Sequence, residues 1–258
     1  MSQESSTETV WRYLTFPKFV AMLEFQALWM SRLRVLQDRF EGTLPHATRL
    51  AMMKEDLKWR EVFPQPELQA QLAKMTDRNV EDGRDLLVVN CWFCGEHESE
   101  RMWEEYSSST EGVVIRSSLA RLDTSIAAKQ EFTTIGRVRY VDLLTHDMGT
   151  YPGHQAHERA LLKRPEYSHE REVRIITMNA VCPGCLNADG SPPTPTQLSG
   201  PGMFDPDRPG VYLQVALNVL IQGLVTAPRA ADWFHNLVSK VCRRYGIRCT
   251  AERSSLAR

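Results

Sequence analysis

The chain has 258 residues, of which 42% are hydrophobic and 24% are charged, and its formal net charge at pH 7 is -1. These values are typical of a folded soluble protein, and the near-neutral charge provides no overall field that would attract nucleic acid or an acidic membrane. The sequence contains no apolar run long enough to cross a bilayer, so we predict no membrane partner.

The sequence predicts one domain behind a short leader. Residues 1–9 are polar and acidic and lack the pattern of a signal peptide, so we expect a disordered leader and a cytoplasmic protein. The six cysteines are then expected to be reduced thiols. Residues 10–258 form the predicted domain, and the proline- and glycine-rich residues 180–209 are expected to form a surface loop within it.

The N-terminal part alternates between strand and helix patterns. Periodicity and turn residues predict the following elements: a strand over Val10–Thr15, an amphipathic helix over Phe16–Leu28, a strand over Leu28–Leu33, a loop over 37–42, and helix over 46–80 with a break at Pro64–Pro66. Pro17 suits the first turn of the predicted helix, where its missing N–H costs nothing.

The middle of the chain predicts shorter elements. These are a buried strand over Leu86–Trp92, a helix over Glu98–Tyr106, a strand over Val113–Ile115, a helix over Leu119–Ala127, and a strand over Gly136–Val141.

The C-terminal part completes the predicted sheet. Strands are expected over Arg171–Met178, Val211–Val215, Leu220–Thr226 and Ile247–Thr250, and a strongly amphipathic helix over Pro228–Tyr245. Because strands and helices follow no regular βαβ rhythm, we predict an α+β fold with a mixed or antiparallel sheet and flanking helices.

Two carboxylates, Glu170 and Glu172, precede the apolar, β-branched run that ends at Met178. Residues two apart on a strand share one face, so the two carboxylates are expected side by side. Such a pair costs free energy unless a cation or a sugar hydroxyl uses it. The pair is therefore either a solvated sheet edge paired with arginines or part of a functional site.

Arg12 alternates with apolar neighbours on a strand that otherwise suits a core. A lone arginine there requires a carboxylate or phosphate partner. Glu170 or Glu172 would serve, which leaves two interpretations open: a ligand-binding group formed by opposite ends of the chain, or a structural salt bridge across the sheet.

The cysteines present two CxxC pairs, Cys91 with Cys94 and Cys182 with Cys185. Four thiolates are able to bind zinc, but the first pair ends an apolar strand and the separation between the pairs far exceeds that of a zinc ribbon. Buried thiols at Cys91 and Cys94 are the favoured interpretation, and we predict no metal site. A nuclease would require clustered acids with a lysine on adjacent strand positions, a pattern that the sequence lacks.

Several motifs together resemble a widespread microbial family catalogued as domain-of-unknown-function family 2971. The resemblance covers nearly the whole chain and is carried by the segments 11–14, 28–33, 38–42, 90–92, 98–106, 112–115, 169–174 and 227–234. Members of that family often stand beside phage-defence and abortive-infection genes.

The layout is also distantly similar to that of ADP-ribosyltransferases, which carry an Arg or His on the first strand, a Ser-containing strand, and a Glu-x-Glu strand. Arg12, the strand at Asn90–Cys94, and the pair Glu170 and Glu172 take these positions here. The middle motif has Phe93-Cys94 where a serine is expected. The resemblance implies an ADP-ribosyltransferase-like fold and NAD as substrate.

The resemblance also implies roles for individual residues. Glu172 would stabilise the positive charge that develops on the ribose, Glu170 would orient or deprotonate the acceptor, and Arg12 would hold a diphosphate or ribose hydroxyl. The implied NAD-binding residues are Arg12, Tyr13, Asn90, Trp92, Glu98, Ser99 and Trp103. The partners are then a nucleotide or dinucleotide and an acceptor, either a protein or a nucleic acid. The alternative is a non-catalytic binding or regulatory module of a defence system.

Overall fold

A computed structural model describes residues 7–62, 65–70, 84–126, 133–149, 155–179, 185–195, 197–198 and 208–257. The fold is α+β, with a mixed, mostly antiparallel sheet and flanking helices, as the sequence predicts. No helix of the described ranges combines the length and the apolar character that crossing a membrane requires.

The strands, in chain order, are β1 (Thr9–Thr15), β2 (Ala27–Arg32), β3 (Leu87–Cys94), β4 (Gly112–Ser118), β5 (Thr134–Arg137), β6 (Arg139–Tyr140), β7 (Leu162–Lys163), β8 (Glu172–Met178), β9 (Cys185–Leu186), β10 (Gly210–Gln214), β11 (Gly223–Thr226) and β12 (Ala251–Arg253). The α-helices are α1 (Phe16–Phe25), α2 (His46–Val62), α3 (Glu100–Tyr106), α4 (Leu119–Ser125), α5 (Gln155–Arg159), α6 (Leu217–Leu220) and α7 (Asp232–Arg244). Two 3-10 turns cover Leu33–Val35 and Pro165–Glu170.

Several predicted boundaries are wrong, and most have a local cause. Helix α1 ends at Phe25 rather than Leu28, because Gln26 adopts a left-handed conformation (φ 49°) that caps the helix. The last strand is Ala251–Arg253 rather than Ile247–Thr250, since its partner β11 meets it at Ala251.

The two segments expected to be irregular are partly ordered. Thr9 of the expected leader lies in β1, and residues 1–6 lie outside the described residues. The expected loop 180–209 contains β9, while 180–184, 196 and 199–207 lie outside the described residues, as do 71–80 of the expected long helix.

Strand β3 organises the sheet. The strands of the main sheet lie in the order β12-β11-β4-β1-β3-β2-β10-β9. Strand β8 lies off this path and pairs with both β3 and β5. On one edge, β8 pairs with β3 along its length, from Leu87↔Met178 to Phe93↔Glu172. On the other edge, β3 pairs with two different strands, one at each end.

The two strands on that second edge diverge. Strand β1 pairs with β3 only at Cys94 and Phe93, whereas β2 pairs only at Val89 and Val88. Residues 90–92 of β3 therefore have no described strand partner on this edge, and we call the opening the sheet gap. Helix α1 connects β1 to β2 in the chain, so the gap lies between two consecutive strands.

The two faces of the sheet bury different cores. Val10 and Leu14 of β1 join the larger core, which α1, α4 and α7 cover. Trp11 and Tyr13 alternate to the opposite face and pack with Trp103 of α3. Arg12 alternates with Trp11 and Tyr13, so it leaves β1 on the side of the larger core, beside the sheet gap.

Phe234 of α7 anchors this helix in the larger core. It is 1% exposed and packs edge-on against Phe16 at 5.3 Å, whereas its neighbour Trp233 is 59% exposed. We expect Phe234→Ala to lower the free energy of unfolding by about 3–5 kcal/mol, because it leaves a cavity. The matched variant Trp233→Ala should stay within about 0.5 kcal/mol of the wild type. Chemical denaturation measures both values, and equal losses would contradict this packing.

Candidate functional site

A cleft opens at the sheet gap, and we call it the first cleft. Its lining includes Arg12, Glu170 and Glu172, the three residues that the sequence assigns to catalysis. They come from β1, from the 3-10 turn Pro165–Glu170 and from the first position of β8. The structure thus brings Arg12 into one cleft with two glutamates that lie about 160 positions further along the chain.

The base of the first cleft holds a buried cluster of charges. Three carboxylates, Glu41, Glu170 and Glu172, surround two cations, Lys163 and Arg174, and all five residues are at most 6% exposed. Lys163 Nζ lies 3.1 Å from Glu41 Oε1 and 3.4 Å from Glu172 Oε2, and it also contacts Glu170 Oε2. We call these five residues the charge cluster.

Arg174 closes the charge cluster from below. Its guanidinium bonds Glu172 Oε2 at 2.7 Å, contacts Glu41 Oε2, and donates to the Ala160 carbonyl at 2.6 Å. Glu172 is therefore held by both cations. The sequence contains the relevant signal, since Arg174 lies two residues beyond Glu172 on β8 and shares its face.

Glu41 reaches the cluster from a tight turn at residues 38–42. Gly42 has φ 71°, and a Cβ at this position would lie 2.8 Å from Leu33 Cδ1, so glycine suits both the backbone and the packing. Asp38 holds the turn through a bond from the Phe40 N–H (3.0 Å). Arg164 anchors the Asp38 carboxylate at 3.0 Å.

Glu170 and Glu172 do not share a strand face, which corrects the sequence-based expectation. Glu170 ends a 3-10 turn, and the strand begins only at Glu172. Arg171 between them is left-handed (φ 41°), a conformation that costs an L-residue roughly 1–2 kcal/mol. This kink, rather than strand alternation, brings both carboxylates to Lys163.

Burial and the surrounding charges together shift the pKa values of Glu170 and Glu172 in opposite directions. Burial raises the pKa of Glu172, but Arg174 and Lys163 outweigh it and lower the pKa to about 2. The pKa of Glu170 is raised, first by burial and then by the charge of Glu172, against the pull of Lys163. Glu172 is thus fixed as a carboxylate, whereas Glu170 is the member of the pair that takes up a proton more readily.

Two tyrosines complete the surroundings of the carboxylates. Tyr106 donates its hydroxyl hydrogen to Glu170 Oε1 at 2.5 Å, and burial followed by this bond raises its pKa. The Tyr140 hydroxyl accepts from the Glu172 N–H at 2.9 Å, and burial raises its pKa to about 12. Both phenols therefore stay protonated at neutral pH.

Arg12 lies in the sheet gap and bonds the carbonyl of Cys91. The carbonyl belongs to the edge of β3 that no described strand covers, so the guanidinium takes the place of a missing strand neighbour. Burial lowers the pKa of Arg12, while Cys91 and Glu172 act in the opposite direction. No carboxylate of the described residues comes within 4 Å, so the alternative of a cross-sheet salt bridge is wrong.

A second cleft meets the first at Arg12. The two share Arg12, Lys18 and Ser31, and the second is further lined by Trp29 and Tyr212. Asn90, a predicted NAD-binding residue, lines it as well, but its amide is engaged: it donates to the Trp29 carbonyl (2.9 Å) and accepts from Trp92 Nε1 (2.7 Å).

Two further predicted NAD-binding residues are mainly structural. Trp92 is 1% exposed, and Asn90 satisfies its indole N–H. Tyr13 contributes to the lining of the first cleft, but its ring packs edge-on against Trp103 at 5.3 Å, and its hydroxyl accepts from the Ser99 N–H at 2.8 Å. These side chains contribute to the wall of the first cleft, but their polar groups are already bonded within the protein.

Glu98, Ser99 and Trp103, for which the resemblance implies a role in binding NAD, line neither of the two clefts. Glu98 accepts bonds from Ser254 (2.6 Å), Ser255 (2.8 Å) and Trp103 Nε1 (3.0 Å), and so ties the C-terminal segment to α3. Ser99 caps α3. The polar groups of these residues serve the fold.

The thiols of Cys91 and Cys94 cannot bind one zinc ion together. Both lie on the uninterrupted strand β3, three positions apart, and they pack in different apolar clusters. Cys185 lies in β9, and Cys182 is outside the described residues. Cys94 is buried and Cys91 is half-buried, so the buried-thiol interpretation holds for Cys94 and only in part for Cys91.

Among the residues that the structure describes, Glu105, His169 and Glu170 have metal-ligand spacing, with ligand atoms within 4.8 Å of one another. His169 Nε2 lies 2.9 Å from Glu105 Oε2, and Glu170 is already bonded by Lys163 and Tyr106. These internal contacts account for the arrangement without an ion.

Four important residues of the site were missed from the sequence: Glu41, Lys163, Arg174 and Tyr106. Glu41 and Tyr106 belong to quoted motifs, and Arg174 carries the spacing signal described above. Lys163 belongs to no motif, and its two-residue strand is too short to show a pattern.

No protein-family model matches the chain, and searches of curated proteins and of solved structures likewise return no match. The functional conclusion therefore rests on the geometry of the clefts.

Glu172→Gln should lower the free energy of unfolding by about 3–5 kcal/mol at pH 7, because two buried cations lose a shared carboxylate. The folded-state pKa of Glu172 is about 2, below its ordinary value of 4.5, so its stabilisation is present above pH 4.5 and is lost as the pH falls towards 2. The difference between wild type and variant should shrink over that interval. Chemical denaturation across pH measures it, and a constant difference would contradict an ionised Glu172.

Proposed function

We propose that the chain binds NAD as a substrate in the first cleft and cleaves the bond between nicotinamide and ribose. The activity would be that of an ADP-ribosyltransferase or an NAD glycohydrolase. The observation that carries the proposal is that Arg12, Glu170 and Glu172 line a single cleft although they come from opposite ends of the chain. Their different electrostatic states suit three different tasks.

Glu172 suits the stabilisation of positive charge. Cleavage of the nicotinamide–ribose bond passes through an oxocarbenium-like state, and a fixed carboxylate near the ribose lowers its energy. A pKa of about 2 keeps Glu172 ionised throughout the physiological range. Lys163 and Arg174 hold it in place, so no reorganisation is needed when the charge develops.

Glu170 suits the transfer of a proton. When the C1′–N bond breaks, nicotinamide leaves with the bonding electrons, and an acceptor O–H attacks C1′. The proton released by the acceptor passes to Glu170, whose raised pKa makes it the better base of the two at neutral pH. Tyr106 orients the carboxylate through its bond to Oε1.

Arg12 suits the binding of an anion. Among the described residues, Arg12 has no carboxylate partner, whereas Lys163 and Arg174 are each bonded to carboxylates. A guanidinium in this state is a natural partner for a diphosphate. A negative ligand would also offset the burial that lowers the pKa of Arg12.

The resemblance to ADP-ribosyltransferases and to the microbial family supports the same interpretation of these positions. It extends the proposal to a cytoplasmic role in phage defence or a toxin system, with a protein or a nucleic acid as acceptor. No membrane partner is part of the proposal.

A second candidate is a non-catalytic binding or regulatory module with the same cleft. Two observations favour it: Lys163 and Arg174 already neutralise Glu172, and Phe93-Cys94 stands where the related motif has a serine. A nuclease is disfavoured on different grounds. Three acids and a lysine do cluster here, but Lys163 is ion-paired with all three carboxylates, which leaves them poorly suited to holding a metal ion.

Nicotinamide release from NAD tests the proposal directly. We expect the wild type to release nicotinamide, and Glu172→Gln to reduce the rate by at least about 100-fold through loss of charge stabilisation. Glu170→Gln should reduce turnover by about 100- to 10,000-fold through loss of the proton acceptor. Chromatographic quantification of nicotinamide provides the readout.

Phe234→Ala is the control for stability, because it should destabilise the fold as strongly as Glu172→Gln but lies outside both clefts. It should keep the wild-type rate at a temperature where all variants are folded. Release that is absent from the wild type would rule out the enzyme, and NAD binding without release would favour the non-catalytic module.

A further inference from the structure

The second cleft contains an aromatic wall that the proposed chemistry does not use. Trp29 of β2 and Tyr212 of β10 are register partners on one face of the sheet, with ring centroids 4.9 Å apart at 63°. Phe25 also packs against Tyr212, with ring centroids 4.8 Å apart. Trp29 and Tyr212 are half-buried and line the cleft, so they offer a rigid apolar surface to a ligand.

The junction between the two clefts is cationic. Lys18 at the start of α1 is exposed, has no described anionic partner, and lines both clefts together with Arg12. Ser31, the third shared residue, adds a hydroxyl. A ligand that passes from one cleft to the other must therefore cross a point where two cations without described carboxylate partners converge.

We propose that the second cleft is the binding subsite for the second nucleobase of a dinucleotide. The base stacks on the Trp29 ring and meets the Tyr212 ring, which is inclined by 63°, at its edge, and the diphosphate lies between Arg12 and Lys18. This inference rests on the proposed function, which places the nicotinamide and its ribose in the first cleft. It adds the place where the second half of the dinucleotide binds, and it implies that the site selects dinucleotides over mononucleotides.

Aromatic stacking and charge at the junction provide this selectivity. Stacking of a nucleobase on an aromatic side chain contributes substantially to binding and tolerates any base, because every base has a π-face. Phosphate groups interact with Arg12 and Lys18 through charge-assisted hydrogen bonds. A mononucleotide that fills only the first cleft gains neither the stacking nor the second phosphate.

Isothermal titration of NAD and of nicotinamide mononucleotide tests the subsite. We expect the wild type to bind NAD more tightly than the mononucleotide by about 5- to 150-fold, the range that stacking of one base provides. Trp29→Leu should weaken NAD binding by a similar factor and leave the mononucleotide unchanged. Trp233→Leu, which alters an exposed tryptophan of α7, should change neither.

Lys18→Ala provides a second test in case Trp29→Leu fails to fold. Lys18 is exposed, so its replacement should leave the fold intact. It should weaken NAD binding more than mononucleotide binding, and Lys240→Ala on α7 is the matched control. Equal affinity of the wild type for both ligands, or equal losses for both in the variants, would overturn the second subsite.

The two proposals fail in different ways. NAD binding that depends on Trp29 but is not followed by nicotinamide release supports the subsite and overturns the proposed cleavage. Nicotinamide release that is unaffected by Trp29→Leu and Lys18→Ala supports the cleavage and overturns the subsite. An absence of NAD binding overturns both.

Discussion

The ion pairs of Lys163 with three glutamates are the interaction on which the site depends. Lys163 lies on a strand of two residues, yet it joins the turn at 38–42, the 3-10 turn before β8 and β8 itself. Three buried carboxylates would repel one another strongly without it. The lysine therefore holds three separate segments of chain around one point, and the first cleft takes its shape there.

The sheet gap provides the other constraint. A strand that stayed beside β3 along its whole length would have covered residues 90–92 and left no opening. Because β1 and β2 pair with opposite ends of β3, the edge between them is filled by side chains instead of backbone. Arg12 bonds the Cys91 carbonyl of β3, Asn90 bonds the Trp29 carbonyl of β2, and the two clefts open beside these side chains.

The sequence predicts the elements better than it predicts the site. Strands such as β3 and helix α7 carry long, strong patterns, so their positions follow from periodicity alone. The prediction that Arg12, Glu170 and Glu172 belong together agrees with their common cleft. The prediction that Glu170 and Glu172 share a strand face is wrong, because the hydrophobic pattern of the sequence does not reveal the left-handed conformation of Arg171.

Glu98, Ser99 and Trp103 show a different limit. Polar residues at the start of a helix after a strand are equally suited to binding a ligand and to capping the helix. The bonds from Ser254 and Ser255 to Glu98 show a structural role, and the sequence does not reveal these contacts. Lys163 could not be predicted, since its partners lie 122, 7 and 9 residues away with no periodicity connecting them. Contacts of this kind depend on the tertiary path of the chain.

The sheet gap also has a thermodynamic consequence. Because Arg12 belongs to β1 and Ser31 to β2, a molecule that contacts both would connect two strands that separate along the edge of β3. A ligand that binds only the folded chain raises its stability by about 2.7 kcal/mol at a concentration one hundred times its dissociation constant. A compound that occupies the gap should thus raise the melting temperature of the protein, whether or not it undergoes a reaction. Thermal unfolding across a set of chemically diverse compounds is therefore a means of identifying the natural ligand, whatever its chemistry.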